Sequence, residues 1–387
     1  MKRSLSLLLS IIFFFAPSLH AFGKAPAGAR ASGAVSVLDA VPKPSVDAGA
    51  YVLMEKDDRH VIASAFAHTR LPIASTTKIM TALVILERGD PEEPVTVSEN
   101  AANTEGSSAY LRKGETVKTG DLLLFLMLQS ANDAATALAE HYAGSVKAFA
   151  GWMNETAARI GMKDTHFSNP HGLEDEEHYS SAHDMALLTA YALETPGFEA
   201  LVSTERCVCG KDENTRTFVN HNRLLFTLPG CIGVKTGYTL RAGRCLVSAC
   251  RREDTTLICV TLSCRSDWKS HEELYAYGFS RVKRFVFEKR ELEIPLISSP
   301  DASVTCTFDS YSLLFDPAGT ARVRIVCPHF LFAPLKEKEV VGSAIFLLDG
   351  KEAGRADLYC VQSADEQPRA GFLSRLISAV LRLFDRE

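Results

Sequence analysis

The chain has no excess of positive charge. Its 42 lysines and arginines stand against 47 aspartates and glutamates in 387 residues, a formal net charge of −5. A nucleic-acid binder more often carries a basic stripe, so no nucleic-acid partner is expected. Tight metal-ligand spacing is also missing: there is no H-E-x-x-H, and the ten cysteines include no C-x-x-C pair. Cys207-Val208-Cys209 is too close to act as a zinc knuckle. His171, His178, His183 and Asp184 are donors that a metal-dependent enzyme could use, but their spacing matches no ligand motif. Neither a metal nor a cofactor is expected. Beyond the N-terminus, no apolar run is long enough to span a bilayer.

What is present begins with ample core material. Hydrophobic residues make up 46% of the chain, and its length suggests two or three domains. Lys2 and Arg3 precede an apolar run from Leu5 to Ala16, with small residues near Ala21. This is the pattern of a secretory signal over residues 1–21, with cleavage near Leu19-His20-Ala21 or Gly23-Lys24-Ala25. Its removal takes the net charge from −5 to −7. Residues 22–45, rich in Ala, Gly, Ser and Pro, read as a flexible lead-in. Export permits disulfides, but spacing alone does not give their connectivity. Cys245, Cys259 and Cys327 sit in apolar runs and are expected to be small buried hydrophobes.

Periodicity supplies the elements. Ala50–Met54 and Val61–Ala63 read as strands across a polar turn. A helical pattern opens at Pro72 and Ser75, continues through Ile79, Leu83 and Leu86, and meets Gly89 as a C-cap. Val95–Val97 reads as a short strand; Asp121–Leu128, Asp133–Tyr142 and Phe149–Ile160 read as helices. Gly243–Cys250 and Thr256–Leu262 form a hairpin signature, followed by a helix over Trp268–Phe279. The simplest assembly is an α+β domain over 46–284, an antiparallel sheet from the two chain ends with a helical insert. From about Phe287 the texture is all-β, giving a small domain over 285–363 with a hairpin at Asp349-Gly350. A tail over 369–387 is helical and amphipathic: Leu373, Leu376, Ile377, Val380 and Phe384 share one face, and Arg375, Ser378 and Arg382 the other.

Three motifs carry the chemistry: Ser75-Thr76-Thr77-Lys78, Ser130-Ala131-Asn132 and Lys235-Thr236-Gly237. Ser75 and Lys78 are three apart, so their side chains can meet on a helix face. A serine hydroxyl is a poor nucleophile until a base takes its proton, and a neutral lysine can do so. Burial and a second cation, which Lys235 could be, would hold Lys78 neutral. Ser130 can relay a proton to a leaving amine, and Asn132 can hold a substrate amide. Both could equally cap the helix that follows. Lys235 and Thr236 can meet a substrate carboxylate, Gly237 leaves room for a substrate strand, and the N–H groups of Tyr238 and Ser75 can form an oxyanion hole. Each motif alone also has an ordinary structural reading, as a helix start, a helix cap or a strand end.

Taken in order, the motifs resemble those of the penicillin-recognising serine peptidases, and within them the low-molecular-mass penicillin-binding proteins of the D-alanyl-D-alanine carboxypeptidase type. Pro72–Thr81 resembles that family's nucleophile segment. Met153–Glu155, Gly161-Met162 and Thr165–Phe167 resemble its next block, and His171-Gly172-Leu173 with Tyr179–Ala186 its loop beneath the site. Gly233–Thr239 with Ala242-Gly243 is similar to its strand motif. The likeness runs from about Pro44 to Gly278, and more loosely to residue 362. It implies a β-lactamase/transpeptidase-like fold. It also implies Ser75 as acylated nucleophile, Lys78 as base, Ser130 and Asn132 as second element, and Lys235, Thr236 and Gly237 as carboxylate binders. The implied reaction removes the last D-alanine from peptidoglycan stem peptides, with β-lactams as covalent inhibitors. Ala131 departs from the family's usual glycine. The family's arginine after the last catalytic strand has no clear counterpart in Arg265–Lys269.

Rival readings use the same residues. A D,D-endopeptidase would cut cross-links with this machinery. A class A-like β-lactamase would need a deacylating glutamate, for which Glu174, Glu176 and Glu177 are candidates. A metal-dependent D,D-peptidase would use the histidines above. A wall-binding protein with a dead site is disfavoured, since every catalytic position is filled. The tail helix can pack on the β domain or lie in the membrane interface with Arg375 and Arg382 at anionic head groups. The resemblance favours the second, and places the protein at the extracytoplasmic face of the cell membrane.

Overall fold

The computed structural model describes residues 41–210, 215–315 and 319–366. The expected signal, most of the lead-in and the tail helix lie outside the described residues. In chain order the first part comprises β1 (Ala48–Glu55), β2 (Val61–Ala65), α1 (Lys78–Arg88), β3 (Pro94–Thr96), α2 (Glu99–Ala102), β4 (Thr116–Lys118), α3 (Thr119–Leu128), α4 (Asn132–Ala143) and α5 (Val146–Ile160). It continues with α6 (Ala182–Glu194), α7 (Phe198–Ser203), β5 (Arg206–Cys209), β6 (Arg216–Val219), α8 (Leu224–Thr227), β7 (Cys231–Thr239), β8 (Gly243–Arg252), β9 (Thr255–Cys264) and α9 (Asp267–Arg281).

The central sheet has the order β2-β1-β9-β8-β7, and every neighbouring pair is antiparallel. Its strands come from the two ends of the first part, and the helical insert lies between them in sequence, as the pattern of apolar runs implied. Both faces are covered. Val52, Met54, Ile258, Val260 and Leu262 join one core with α1 and α6, while Leu53, Cys250 and Cys259 face Leu274 and Tyr275 of α9. Double coverage explains why β1, β8 and β9 read as continuous apolar runs rather than alternating ones. Ser248 ties the α9 layer down: its Oγ lies 2.7 Å from His271 Nδ1 and 2.7 Å from the Tyr275 hydroxyl. The outcome that matters for function is that β7 ends up at the sheet edge.

The second part contains β10 (Lys283–Phe287), β11 (Glu291–Ile297), β12 (Ser303–Thr307), β13 (Tyr311–Phe315), β14 (Ala321–Val326), β15 (Leu331–Phe332), β16 (Val340–Leu348) and β17 (Lys351–Cys360). A six-stranded sheet runs β14-β16-β17-β12-β11-β15, and β10 pairs with β13. Phe287, Ile294, Val304, Phe308, Phe346 and Leu358 belong to its own core. The β16–β17 turn has Asp349 and Gly350 both at positive φ (49° and 78°), the two-residue hairpin turn anticipated from Asp-Gly. The boundary expected at 284/285 falls inside β10.

Gly89 is the C-cap of α1, as expected, in an extended conformation (φ −107°, ψ 169°), and a β-carbon there would sit 2.8 Å from the Tyr142 ring. Two local expectations need correction. Neither Ser130 nor Asn132 caps α4, whose N-cap is Ala131 with no side-chain hydrogen bond. Cys327 lies one residue beyond β14 and is only half-buried, whereas Cys245 and Cys259 are buried.

Candidate active site

The nucleophile segment is not yet α-helix. Ala74–Thr77 form a 3₁₀ turn, and the α-helix begins at Lys78. Ala74 takes a left-handed φ of 47°, which is costly for a residue with a side chain. Hydrogen bonds hold it there. Thr76 Oγ1 donates to Ile73 O (2.6 Å), and Thr77 Oγ1 donates to Ala74 O (2.8 Å) while contacting His178 Nε2 (2.8 Å). Ser168 N donates to His178 Nδ1, so Nε2 is the protonated nitrogen and donates to Thr77. The loop behind is pressed against this turn: a β-carbon on Gly172 would sit 1.9 Å from Ala74 O. That close approach is why the His171-Gly172-Leu173 segment carries glycine at its centre.

Ser75 and Lys78 meet as their spacing predicted. Lys78 Nζ lies 2.9 Å from Ser75 Oγ, 2.7 Å from Asn132 Oδ1 and 2.7 Å from His171 O. The lysine is fully buried. Burial pushes its pKa well below the usual value, and the charge on Lys235 pushes it further, while Asp133 acts in the opposite sense. An ammonium here would donate to all three oxygens; once neutral, the amine can keep its two N–H bonds on Asn132 Oδ1 and His171 O and turn its lone pair to the Ser75 hydroxyl.

Ser130 sits on the α3–α4 turn at φ 60°, again left-handed, and is nearly buried. Asn132 Nδ2 donates to Glu105 O (2.6 Å), so its amide orients Lys78 and keeps one N–H for a substrate carbonyl. The adjoining Asp133 organises the cleft rim. Its carboxylate accepts from Ala109 N (3.0 Å), Leu111 N (3.0 Å) and Ser108 Oγ (2.6 Å), all in the loop whose Ser107 O accepts from Asn132 N. Asp133→Asn places an N–H₂ among these donors and leaves buried groups unpaired. A stability loss of roughly 2–4 kcal/mol in urea unfolding is expected; an unchanged midpoint would contradict this account of the rim.

On β7, Lys235 is buried, its Nζ donates to Thr236 O (3.1 Å), and burial lowers its pKa to about 7. A β-carbon on Gly237 would lie 3.0 Å from Ser75 N and 3.1 Å from Thr76 N. Only a residue without a side chain lets the edge strand lie this close to the nucleophile's backbone. Ser75, Ser130, Thr236, Gly237 and Tyr238 line one open cleft. Lys78, Asn132 and Lys235 stand behind it.

Sequence reasoning missed several cleft residues: Ser107, His221, Arg244, Asp267 and Trp268. Arg244 matters most. It faces Tyr238 across the β7–β8 ladder, and its Nε and Nη2 pair with Asp267 at 3.1 and 3.0 Å. Arg265 is exposed and Lys269 pairs with Glu273, and neither lines the cleft. The arginine that does line the cleft is on β8. Only register puts it there, and register was not legible in sequence.

His171, His178 and Glu174, on which rival readings drew, have other partners. His171 Nδ1 accepts from Leu173 N, and burial holds His171 and His178 down at about 3 and 4. Glu174 Oε1 accepts from Arg241 N in the β7–β8 turn. Among the described residues no His, Cys, Asp and Glu side chains are grouped to hold a metal.

Comparison with known proteins agrees with this geometry. The family model described as D-alanyl-D-alanine carboxypeptidase matches residues 38–266. D-alanyl-D-alanine carboxypeptidase DacF of Bacillus subtilis is 29% identical over 97% of each chain. D-alanyl-D-alanine carboxypeptidase DacC of Escherichia coli is 31% identical, with 99% of this chain and 96% of that one aligned. The structure of penicillin binding protein 5 from Haemophilus influenzae superposes with a TM-score of 0.69 at 28% identity, covering 84% of this chain and all of that one. The chain belongs to the D-alanyl-D-alanine carboxypeptidase family, and its fold is that of the low-molecular-mass penicillin-binding proteins.

Proposed function

We propose that this enzyme removes the terminal D-alanine from peptidoglycan stem peptides through an acyl-enzyme on Ser75. The observation that carries the reading is the 2.9 Å approach of Lys78 Nζ to Ser75 Oγ at a lysine shut off from water. The stem peptide lies along the free edge of β7. Its terminal carboxylate meets Lys235, the Thr236 hydroxyl and Arg244. Ser75 Oγ bonds to the carbonyl carbon of the penultimate residue as its proton passes to Lys78 Nζ. The oxyanion rests between the N–H groups of Ser75 and Tyr238. Ser130 gives its proton to the leaving nitrogen and is reprotonated from Lys78, so D-alanine departs and the ester remains. Water then bonds to the ester carbon as its proton passes to Lys78 Nζ, and the C–O bond to Ser75 breaks as Lys78 returns a proton to Ser75 Oγ. A β-lactam enters the same way, but its leaving nitrogen stays tethered in the acyl group, so the ester persists.

The substrate class places the protein at the extracytoplasmic face. The signal pattern at residues 1–21 and the amphipathic pattern at residues 371–384, as a peripheral membrane contact, support that location.

The test is release of D-alanine from diacetyl-L-lysyl-D-alanyl-D-alanine. Release that benzylpenicillin stops and chelator leaves intact is the expected result; loss with chelator would count against a serine mechanism. In the same assay Arg244→Ala is expected to raise KM about 10- to 100-fold, the worth of a charge-assisted hydrogen bond. Arg244→Lys should recover part of this, and a C-terminal amide substrate should show no added loss. An unchanged KM in Arg244→Ala would remove Arg244 from the carboxylate site.

A further inference from the structure

We propose that Cys306 and Cys360 form a disulfide across the short β12–β17 seam of the six-stranded sheet. β12 meets β17 through two directly opposed pairs, Cys306 with Cys360 and Thr307 with Tyr359. By contrast, β11 and β12 share five such pairs and β16 and β17 share eight. This short joint is what unites β14-β16-β17 with β12-β11-β15 in one sheet.

The register is right for a covalent cross-link. Val361 N donates to Thr305 O at 2.9 Å, which makes Thr305 and Val361 a hydrogen-bonded pair. Pairs alternate along an antiparallel ladder, so Cys306 and Cys360 form the non-hydrogen-bonded kind. Consistently, Cys360 N donates to Glu339 O and Cys360 O accepts from Lys338 N, both away from β12. Such pairs bring the α-carbons to about 4.5 Å, within the roughly 4.4–6.8 Å that a disulfide spans. The two sulfurs are already 3.9 Å apart, and both residues are fully buried. The other opposed pair, Cys231 and Cys250, is differently disposed: its thiols donate to separate carbonyls, Gly233 O at 3.4 Å and Pro229 O at 3.6 Å.

Closure breaks two S–H bonds and forms one S–S bond. The two electrons and two protons pass to a small-molecule or protein disulfide, which leaves as two thiols. Burial pushes the Cys306 thiol up to about 12, so little thiolate exists in the finished sheet and the bond forms while the strands assemble. The cross-link joins residues 54 apart, so it strongly restricts the unfolded chain. An oxidising extracytoplasmic compartment would supply the oxidant. The inference does not depend on the chemistry at Ser75.

The test refolds the full chain in reduced and oxidised glutathione until its circular dichroism is native. Free thiols are then alkylated under denaturing conditions and the peptides mapped. A peptide pair linking Cys306 to Cys360 is expected. Alkylation of all ten cysteines, or linkage of Cys306 to Cys327 or to any other partner, would overturn the proposal. As a second readout, Cys306→Ser should melt several degrees below wild type after oxidative refolding, with the gap removed by dithiothreitol. A gap of equal size in both buffers would mean packing alone, and would likewise overturn it.

Discussion

Ser75→Ala is expected to abolish the covalent band formed with a fluorescent penicillin and to reduce D-alanine release by at least about 10⁴-fold. The site offers little else as a nucleophile. Ser75 Oγ is the hydroxyl that lies 2.9 Å from Lys78 Nζ. Thr76 and Thr77 are buried, and their hydroxyls are committed to Ile73 O and Ala74 O. Ser130 lines the cleft but belongs to the α3–α4 turn, and no hydroxyl of that turn is hydrogen-bonded to Lys78 Nζ among the described residues. Removing one oxygen from Ser75 leaves the peptide-binding edge of β7 and the cation pair intact. Binding therefore survives while bond-making does not, and the residual rate reflects binding and oxyanion stabilisation alone. The measurement is in-gel fluorescence of wild type and variant at equal folded concentration, alongside D-alanine release. A persistent band in the variant would move the nucleophile elsewhere, with Ser130 the next candidate.

Lys78→Met is expected to slow acylation by about 10²–10⁴-fold, the range for loss of a positioned general base. The substitution keeps the length of the buried stem but removes the nitrogen that serves Ser75, Asn132 and His171. The pH dependence in the wild type gives an independent handle. Lys78 must be neutral to take the proton, so kcat/KM rises with pH as Lys78 loses its own proton. The lowered pKa puts that rise below the usual lysine range. Lys235 must be charged to attract the carboxylate, and its pKa of about 7 puts a falling limb near neutrality. The two limbs have opposite signs because one lysine works deprotonated and the other protonated. Since kcat/KM reports the free enzyme, the falling limb should weaken in kcat, where bound carboxylate holds the proton on Lys235. Lys235→Arg should remove the falling limb altogether, because guanidinium stays charged. A profile flat from pH 5 to 10, or a falling limb that survives in Lys235→Arg, would refute these assignments.

Much of this site was legible in sequence, for reasons particular to each motif. Ser75 and Lys78 were legible because one helical turn links them, and local geometry needs no distant partner. The room that Gly237 leaves for a substrate strand was legible from glycine alone, whereas the edge position of β7 came from the sheet order. Asn132 and Ser130 were ambiguous, since both also make good helix caps. Asn132 is held instead by Glu105 O and Lys78 Nζ, acceptor and donor supplied by segments 27 and 54 residues away. Arg244 was invisible because nothing in Ala242-Gly243-Arg244 says which residue of β7 it will face.

The amino-acid order alone determined the α+β architecture, the later all-β region and the short-range pairing of nucleophile and base. These follow from apolar periodicity and from contacts within a turn, which are properties of neighbouring residues. Tertiary structure decided the rest. It buried Lys78 and Lys235 and so lowered their pKa values. It pressed Gly172 against the nucleophile turn and laid Gly237 beside Ser75 N. It brought Arg244 into the cleft and set Cys306 opposite Cys360. Desolvation, strand register and backbone approach depend on which distant segments come to lie together, and no local pattern encodes that choice.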